Sequence, residues 1–259
     1  MIPKVIHYCW FGRNEKPELA QKCIASWKKF CPEYEIKEWN ENNYDYTKNK
    51  YMQEAYEAQK WGFVSDYARL DIIYQYGGFY FDTDVELIKG LDSLIGYKAF
   101  VGFEDGHYVA NGLGFGAEAG CRILKEQRDY YDNLSFINGD GSYNLRPGPQ
   151  YFTDVLLSKG LQQNNKMQEI EDLTILPMDY LNPKSFLTEE LSLTDNSIAI
   201  HHAAMSWHSD ETRAEVMKER RVYKKYGIWG WRIYHGVSVI RQEGLKTFFK
   251  KLKVFVEGD

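Results

Sequence analysis

The chain has 259 residues, 44% hydrophobic and 27% charged, with a formal net charge of −5. That balance excludes disorder, collagen and coiled coil as the main architecture, and no apolar run reaches the roughly 18 residues a spanning helix needs. An acidic chain also argues against a general nucleic-acid binder.

Residues 4–11 read as a buried strand, and residues 17–30 as an amphipathic helix with Leu19, Cys23, Ile24 and Trp27 on one face and Pro17 in its first turn. Residues 34–39 alternate like a strand. Residues 51–60 and 63–76 read as helices, the second stopped by Gly77-Gly78. A short aromatic strand at 79–81 runs straight into Asp82-Thr83-Asp84. Strands are expected at 99–103 and 109–116, helices at 119–132 and 149–159, and late strands at 174–176 and 198–201. The polar run at 162–166 is a loop, and 212–226 and 231–253 read as terminal helices. Alternating strands and helices imply an α/β fold with a mostly parallel, Rossmann-like sheet flanked by helices. Ligands in such sheets sit beyond the carboxyl ends of the strands.

Four cysteines, at 9, 23, 31 and 121, form no CxxC pair. Neither a disulfide framework nor a zinc ribbon is expected, and a reducing cytoplasm fits. The opening MIPKVIHYCWFG lacks the apolar core and cleavage site of a signal peptide. Aromatic residues make up 16% of the chain, a share that serves cores and also sites that stack on bases and sugar rings.

Three segments concentrate chemistry. In Gly77-Gly78-Phe79-Tyr80-Phe81-Asp82-Thr83-Asp84, two carboxylates at i, i+2 share a face of an extended segment. They repel unless a cation lies near, and oxygen ligands suit Mg²⁺ or Mn²⁺, which could then hold a diphosphate. A solvated acidic turn is the plainer alternative. In Ser65-Asp66-Tyr67-Ala68-Arg69, Asp66 and Arg69 share a helix face; Asp accepts from sugar hydroxyls and Arg pairs with phosphate, unless the two are only a surface ion pair. Spacing leaves open whether these residues meet the DXD. In Ile200-His201-His202-Ala203-Ala204-Met205-Ser206-Trp207, one histidine could complete a metal shell, with His202 favoured over His201.

The ordered set IHYCWFG, SDYARLDIIYQYGGFYFDTDV and IHHAAMSW resembles the glycosyltransferases with a DXD sugar-binding region. These include the initiating α-mannosyltransferases and bacterial capsular-polysaccharide transferases, with a more distant likeness to clostridial glucosylating toxins. The resemblance implies a GT-A fold, a nucleotide-sugar donor such as UDP-hexose or GDP-mannose, a divalent metal, and retention of anomeric configuration. It implies that Trp10 stacks on the base beside Cys9 and that Tyr80 lies beside the nucleotide. Asp66 and Arg69 would contact the sugar and its phosphate side. Asp82 would bind ribose or sugar and reach the metal through water, Asp84 would bind the metal directly, and His202 would join as a further ligand. Ser206 and Trp207 would hold the diphosphate, and Asn111 would serve the sugar pocket.

The expected organisation is a catalytic domain over 1–210 and a helical segment over 211–259. Residues 213–253 carry 12 Lys/Arg against 3 Asp/Glu, interleaved with Trp229, Trp231, Tyr234 and Val237. That pattern fits peripheral contact with the inner face of the cell membrane, and a lipid-linked or surface-polysaccharide acceptor would suit it. A solvated face of a packed helix explains the same residues. Two other functions remain in view: a non-catalytic nucleotide-sugar-binding module, and a haloacid-dehalogenase-type phosphatase. The second is disfavoured because its strand-end Asp should fall near the start of the chain, with an Asp pair following.

Overall fold

In the computed structural model, residues 1–104, 108–205 and 210–257 are described, the side chains of 210 and 241–257 excepted. The chain begins with strand β1 (Val5–Cys9), helix α1 (Glu18–Phe30) and strand β2 (Glu35–Trp39). Helix α2 (Lys50–Glu57) follows, its first turn capped by the Asn49 side chain accepting from the Met52 amide. Helix α3 (Trp61–Tyr76) then leads into strand β3 (Gly78–Tyr80). Both Gly77 and Gly78 have positive φ, +66° and +100°, and a Cβ on either would strike backbone within 2.8 Å. Only glycines let the chain reverse this tightly between helix and strand.

Strands β4 (Val85–Leu87), β5 (Ala99–Glu104) and β6 (Tyr108–Ala117) come next, then helices α4 (Arg122–Tyr130) and α5 (Gly148–Leu157). Strands β7 (Gln168–Ile170) and β8 (Leu173–Leu176), helix α6 (Met178–Leu181), strand β9 (Ala199–His201) and helix α7 (Asp210–Glu257) complete the order. The main sheet runs β2-β1-β3-β6-β5-β8-β7. Strands β2, β1, β3, β5 and β8 share one direction; β6 and β7 run against them. The sheet is therefore mostly parallel, with β6 inserted antiparallel at its centre. Strand alternation divides the core: Tyr80 packs with α2–α5 on one face, and Phe79 and Phe81 pack with α1 and α6 on the other.

Helix α3 is buried almost all round, from Phe63 to Ile73, yet carries Asp66, Arg69 and Asp71. Burial of that kind requires each charge to find a partner. Asp71 is held by Tyr44, Gln75, Lys48 and Arg128 at 2.6–3.2 Å. The partners of the other two form the candidate site.

The chain divides into two compact units, Met1–Lys184 with Leu191–Trp207, and Ser185–Glu190 with His208–Asp259. In the second unit α7 is not one straight rod. Gly227 has φ +67°. Tyr234 and Ser238 both donate to Glu215 Oε1, at 3.0 and 2.9 Å, and the Trp231 indole donates to Glu219 Oε2 at 3.2 Å. At a rise of about 1.5 Å per residue, Glu215 and Tyr234 would be about 28 Å apart along a straight helix. The helix therefore folds back at Gly227 into two antiparallel arms, in keeping with separate helices at 212–226 and 231–253.

Candidate active site

Strands β1 and β3 are parallel neighbours, with His7 opposite Tyr80. Their carboxyl ends open on the same edge of the sheet, so Cys9-Trp10 and Asp82-Thr83-Asp84 emerge side by side. Trp10 is half-buried; its indole donates to Asn14 O at 2.7 Å and the Lys16 ammonium lies 5.6 Å from its ring.

Helix α3 brings Asp66 and Arg69 to the same place. Eleven helical steps from Asp66 to Gly77 cover about 16 Å, and five extended steps from Gly77 to Asp82 cover about the same. The two carboxylates thus reach equal heights on either side of the Gly-Gly reversal, a convergence that the motif spacing left open. Arg69 bridges them: its Nη2 is 3.2 Å from Asp66 Oδ1 and 3.3 Å from Asp82 Oδ1. Nη2 also donates to Ser65 Oγ at 2.8 Å, while Nε donates to Ser65 O at 3.1 Å and Nη1 to Asn111 Oδ1 at 3.3 Å. The Asp66–Arg69 pair is accordingly a buried bridge and not a surface ion pair. Asn111, expected in the sugar pocket, does join this cluster.

Exposure grades across the site. The Asp66 and Arg69 side chains are 9% and 5% exposed, Asp82 30%. Tyr80 is wholly buried, with its hydroxyl donating to Asp82 Oδ1 at 3.0 Å. It therefore supports the Asp82 carboxylate in this structure. Burial raises the Cys9 thiol to about 12, keeping it protonated.

Asp84 is fixed from β9. Strands β4 and β9 pair antiparallel with Val85 opposite His201, and the Trp27 indole donates to Val85 O at 2.8 Å from α1. Asp84 Oδ2 accepts from the Ala204 amide at 2.9 Å and lies 3.4 Å from His201 Nε2. His202 turns the other way, onto Glu86 Oε2 at 2.8 Å, where Lys22 also pairs. The histidine beside the DXD is thus His201, a correction to the favoured His202. Period-two alternation along β9 puts successive side chains on opposite faces. Ser206 and Trp207 lie outside the described residues.

Burial pushes Asp66 up to about 7, although Arg69 draws it down. Burial likewise raises Asp82 against Arg69. Burial acts the same way on Asp84, but His201 and the Ala204 amide outweigh it and hold the carboxyl well below its usual range. Burial lowers His201, and Asp84 more than reverses this, to about 9. Glu104, at the end of β5, adds to that field. Its only sign in the sequence is its position at a strand end. Among the described residues, no three His, Cys, Asp or Glu side chains are arranged around a common metal position.

Residues 17–101 match the family model described as glycosyltransferase sugar-binding region containing DXD motif. Asp66, Arg69, Asp82 and Asp84 all fall inside it, and the resemblance drawn from the motifs holds for this region. Over 108 residues the chain is 32% identical to inositol phosphoceramide mannosyltransferase 3 of Schizosaccharomyces pombe, covering 39% of this chain. The chain spans 29% of the length of that curated relative. Among solved structures, PaToxG glycosyltransferase superposes with a TM-score of 0.50 at 20% identity, over 61% of this chain and 69% of that one. A glycosyltransferase involved in glycosylation of the major capsid of PBCV-1 gives 0.46 at 12% identity, over 85% and 99%. The fold is of GT-A type.

Proposed function

We propose that the chain is a retaining, metal-dependent glycosyltransferase moving a hexose from a nucleotide sugar to a glycan or lipid-linked glycan. The observation that carries this reading is the buried Asp66–Arg69–Asp82 bridge at the strand ends, inside the matched DXD region. Residues 1–210 would form the catalytic part and 211–259 a helical accessory. The name of the fungal relative makes GDP-mannose the first donor to test, with UDP-hexoses second, and it favours a lipid-linked acceptor over a capsular polysaccharide. A cytoplasmic reaction drawing on soluble nucleotide sugar belongs to the same proposal.

In this reaction the bond from the anomeric carbon to the diphosphate breaks, and negative charge grows on the departing phosphate. Arg69 is oriented by Asp66, Asp82 and Ser65, so its guanidinium is already in place when that charge appears. Asp66 and Asn111 would accept from and donate to sugar hydroxyls, and Trp10 would stack on the base. Ser206 and Trp207 would hold the diphosphate. The residues that would hold a divalent cation are the two carboxylates, Asp84, held ionised, and Asp82 beside it, with phosphate oxygens of the donor completing an oxygen set that suits Mn²⁺ or Mg²⁺; His201, protonated in its pair with Asp84, would join only after losing that proton. Bound there, the cation would supply positive charge toward the diphosphate. The acceptor oxygen would attack from the face the diphosphate leaves, and its proton would pass to the diphosphate.

A thermal-shift screen of GDP-mannose and UDP-hexoses with Mn²⁺, followed by NMR of the product anomer, tests the proposal. An inverted anomer removes retention. Stabilisation by a donor with no turnover, including no metal-dependent donor hydrolysis, would favour the binding-module alternative.

A further inference from the structure

The fold-back of α7 gathers a particular chemistry at one end of the hairpin. Between residues 220 and 232 lie Arg220, Arg221, Lys224, Lys225 and Arg232, with no Asp or Glu among them. The reversal at Gly227 exposes Tyr226, Ile228 and Trp229 in the same place. Along the second arm, Trp229, Ile233 and Val237 recur every four residues and therefore line one face, and they are 70%, 71% and 51% exposed. The Arg232 guanidinium lies 5.0 Å from the Trp229 ring and the Lys225 ammonium 5.1 Å from the Tyr226 ring. Two carboxylates of the first arm face the second arm. Glu215 accepts from Tyr234 and Ser238, and Glu219 from Trp231, with His235 beside it.

We propose that this hairpin tip docks on an anionic lipid surface. Trp229, Ile233 and Val237 enter the headgroup–acyl boundary, and Arg221, Lys224, Lys225 and Arg232 meet lipid phosphates. Charge complementarity selects an anionic partner. The exposed apolar stripe selects a lipid over a soluble polyanion, because aliphatic side chains gain nothing on a sulfate or phosphate polymer. Amphipathic aromatics set among Lys and Arg suit the interface between headgroups and hydrocarbon. The attachment is peripheral: among the described residues no helix is long and apolar enough to cross a membrane. Docking of the hairpin tip does not depend on the proposed glycosyl transfer.

The test is flotation of the 259-residue chain with phosphatidylcholine vesicles, with and without phosphatidylserine. Binding is expected only with phosphatidylserine. The double change Lys224→Glu, Lys225→Glu is expected to lower partitioning by about thirtyfold or more. Trp229→Ser with Ile233→Ser is expected to lower it at least about tenfold, while Trp229→Phe retains it. Helix content by circular dichroism checks that the variants remain folded. Quenching of indole fluorescence by brominated phosphatidylserine gives a readout on the unaltered chain, and quenching is expected. The proposal is overturned by no binding at low salt, by no quenching, or by wild-type binding of the folded serine variant. Full competition by dextran sulfate together with that last result would identify a plain polyanion site.

Discussion

Protonation of His7 is expected to loosen the reversal that sets the candidate site. His7 is 2% exposed and sits between two partners. The Trp39 indole, a donor only, gives its hydrogen to His7 Nδ1 at 3.0 Å. His7 Nε2 therefore carries the ring proton and donates to Gly77 O at 3.1 Å, at the turn that brings Asp66 and Asp82 level. A second proton would set Nδ1–H against the indole N–H. Burial lowers the His7 pKa from 6.5 to about 4, despite the Gly77 carbonyl acting the other way. The unfolded chain thus binds this proton more readily than the folded one. The contribution is complete above pH 6.5 and is lost as pH falls toward 4. Linkage gives about 2 kcal/mol lost between pH 7 and pH 5, and about 3 kcal/mol in all below pH 4. Urea unfolding at a series of pH values, for wild type and His7→Gln, measures it. Other carboxylates titrate in both proteins, so the difference between the two curves isolates His7. The stability gap between wild type and variant should shrink by about 2 kcal/mol from pH 7 to pH 5. A gap that stays constant would refute the reasoning.

Arg69→Met should destabilise by roughly 3–5 kcal/mol in urea unfolding, because two carboxylates lose their buried cation, and transfer should be lost as well. Gly112→Ala puts a Cβ 2.5 Å from Asp82 Oδ2 and 3.0 Å from Arg69 Nη1. Something must shift, so a cost of about 1–3 kcal/mol and a fall in donor hydrolysis are expected; an unchanged rate would show that the bridge tolerates displacement. Asp84→Asn should remove the Mn²⁺-dependent part of any thermal shift by donor, and a shift that survives would mean the ion is held by other groups.

Much of the fold was legible because hydrophobic period, Gly-Gly punctuation and strand–helix alternation are local signals. Residues 17–30, 34–39 and 63–76 show it, each lying within a residue or two of the observed α1, β2 and α3. The short strands β4 and β7 were not foreseen; β3 and β9, equally short, were legible from the Gly-Gly turn and the apolar run at 198–200 beside them, markers that β4 and β7 lack. The DXD pair and the Asp66–Arg69 pair were visible as residue types, and their convergence follows from the unequal rise of helix and strand around one reversal. Other features needed the assembled molecule. The face of β9 that carries His201 depends on its register with β4, the supporting role of Tyr80 on the pleat of β3, and the access of Glu104 on the end of β5. The fold-back at Gly227 is likewise fixed by partners more than twenty residues away, such as Ser238 on Glu215. Local sequence sets what a segment can form and what chemistry it carries. Register and long-range pairing decide which side chains meet, because they depend on contacts between segments that no local pattern encodes.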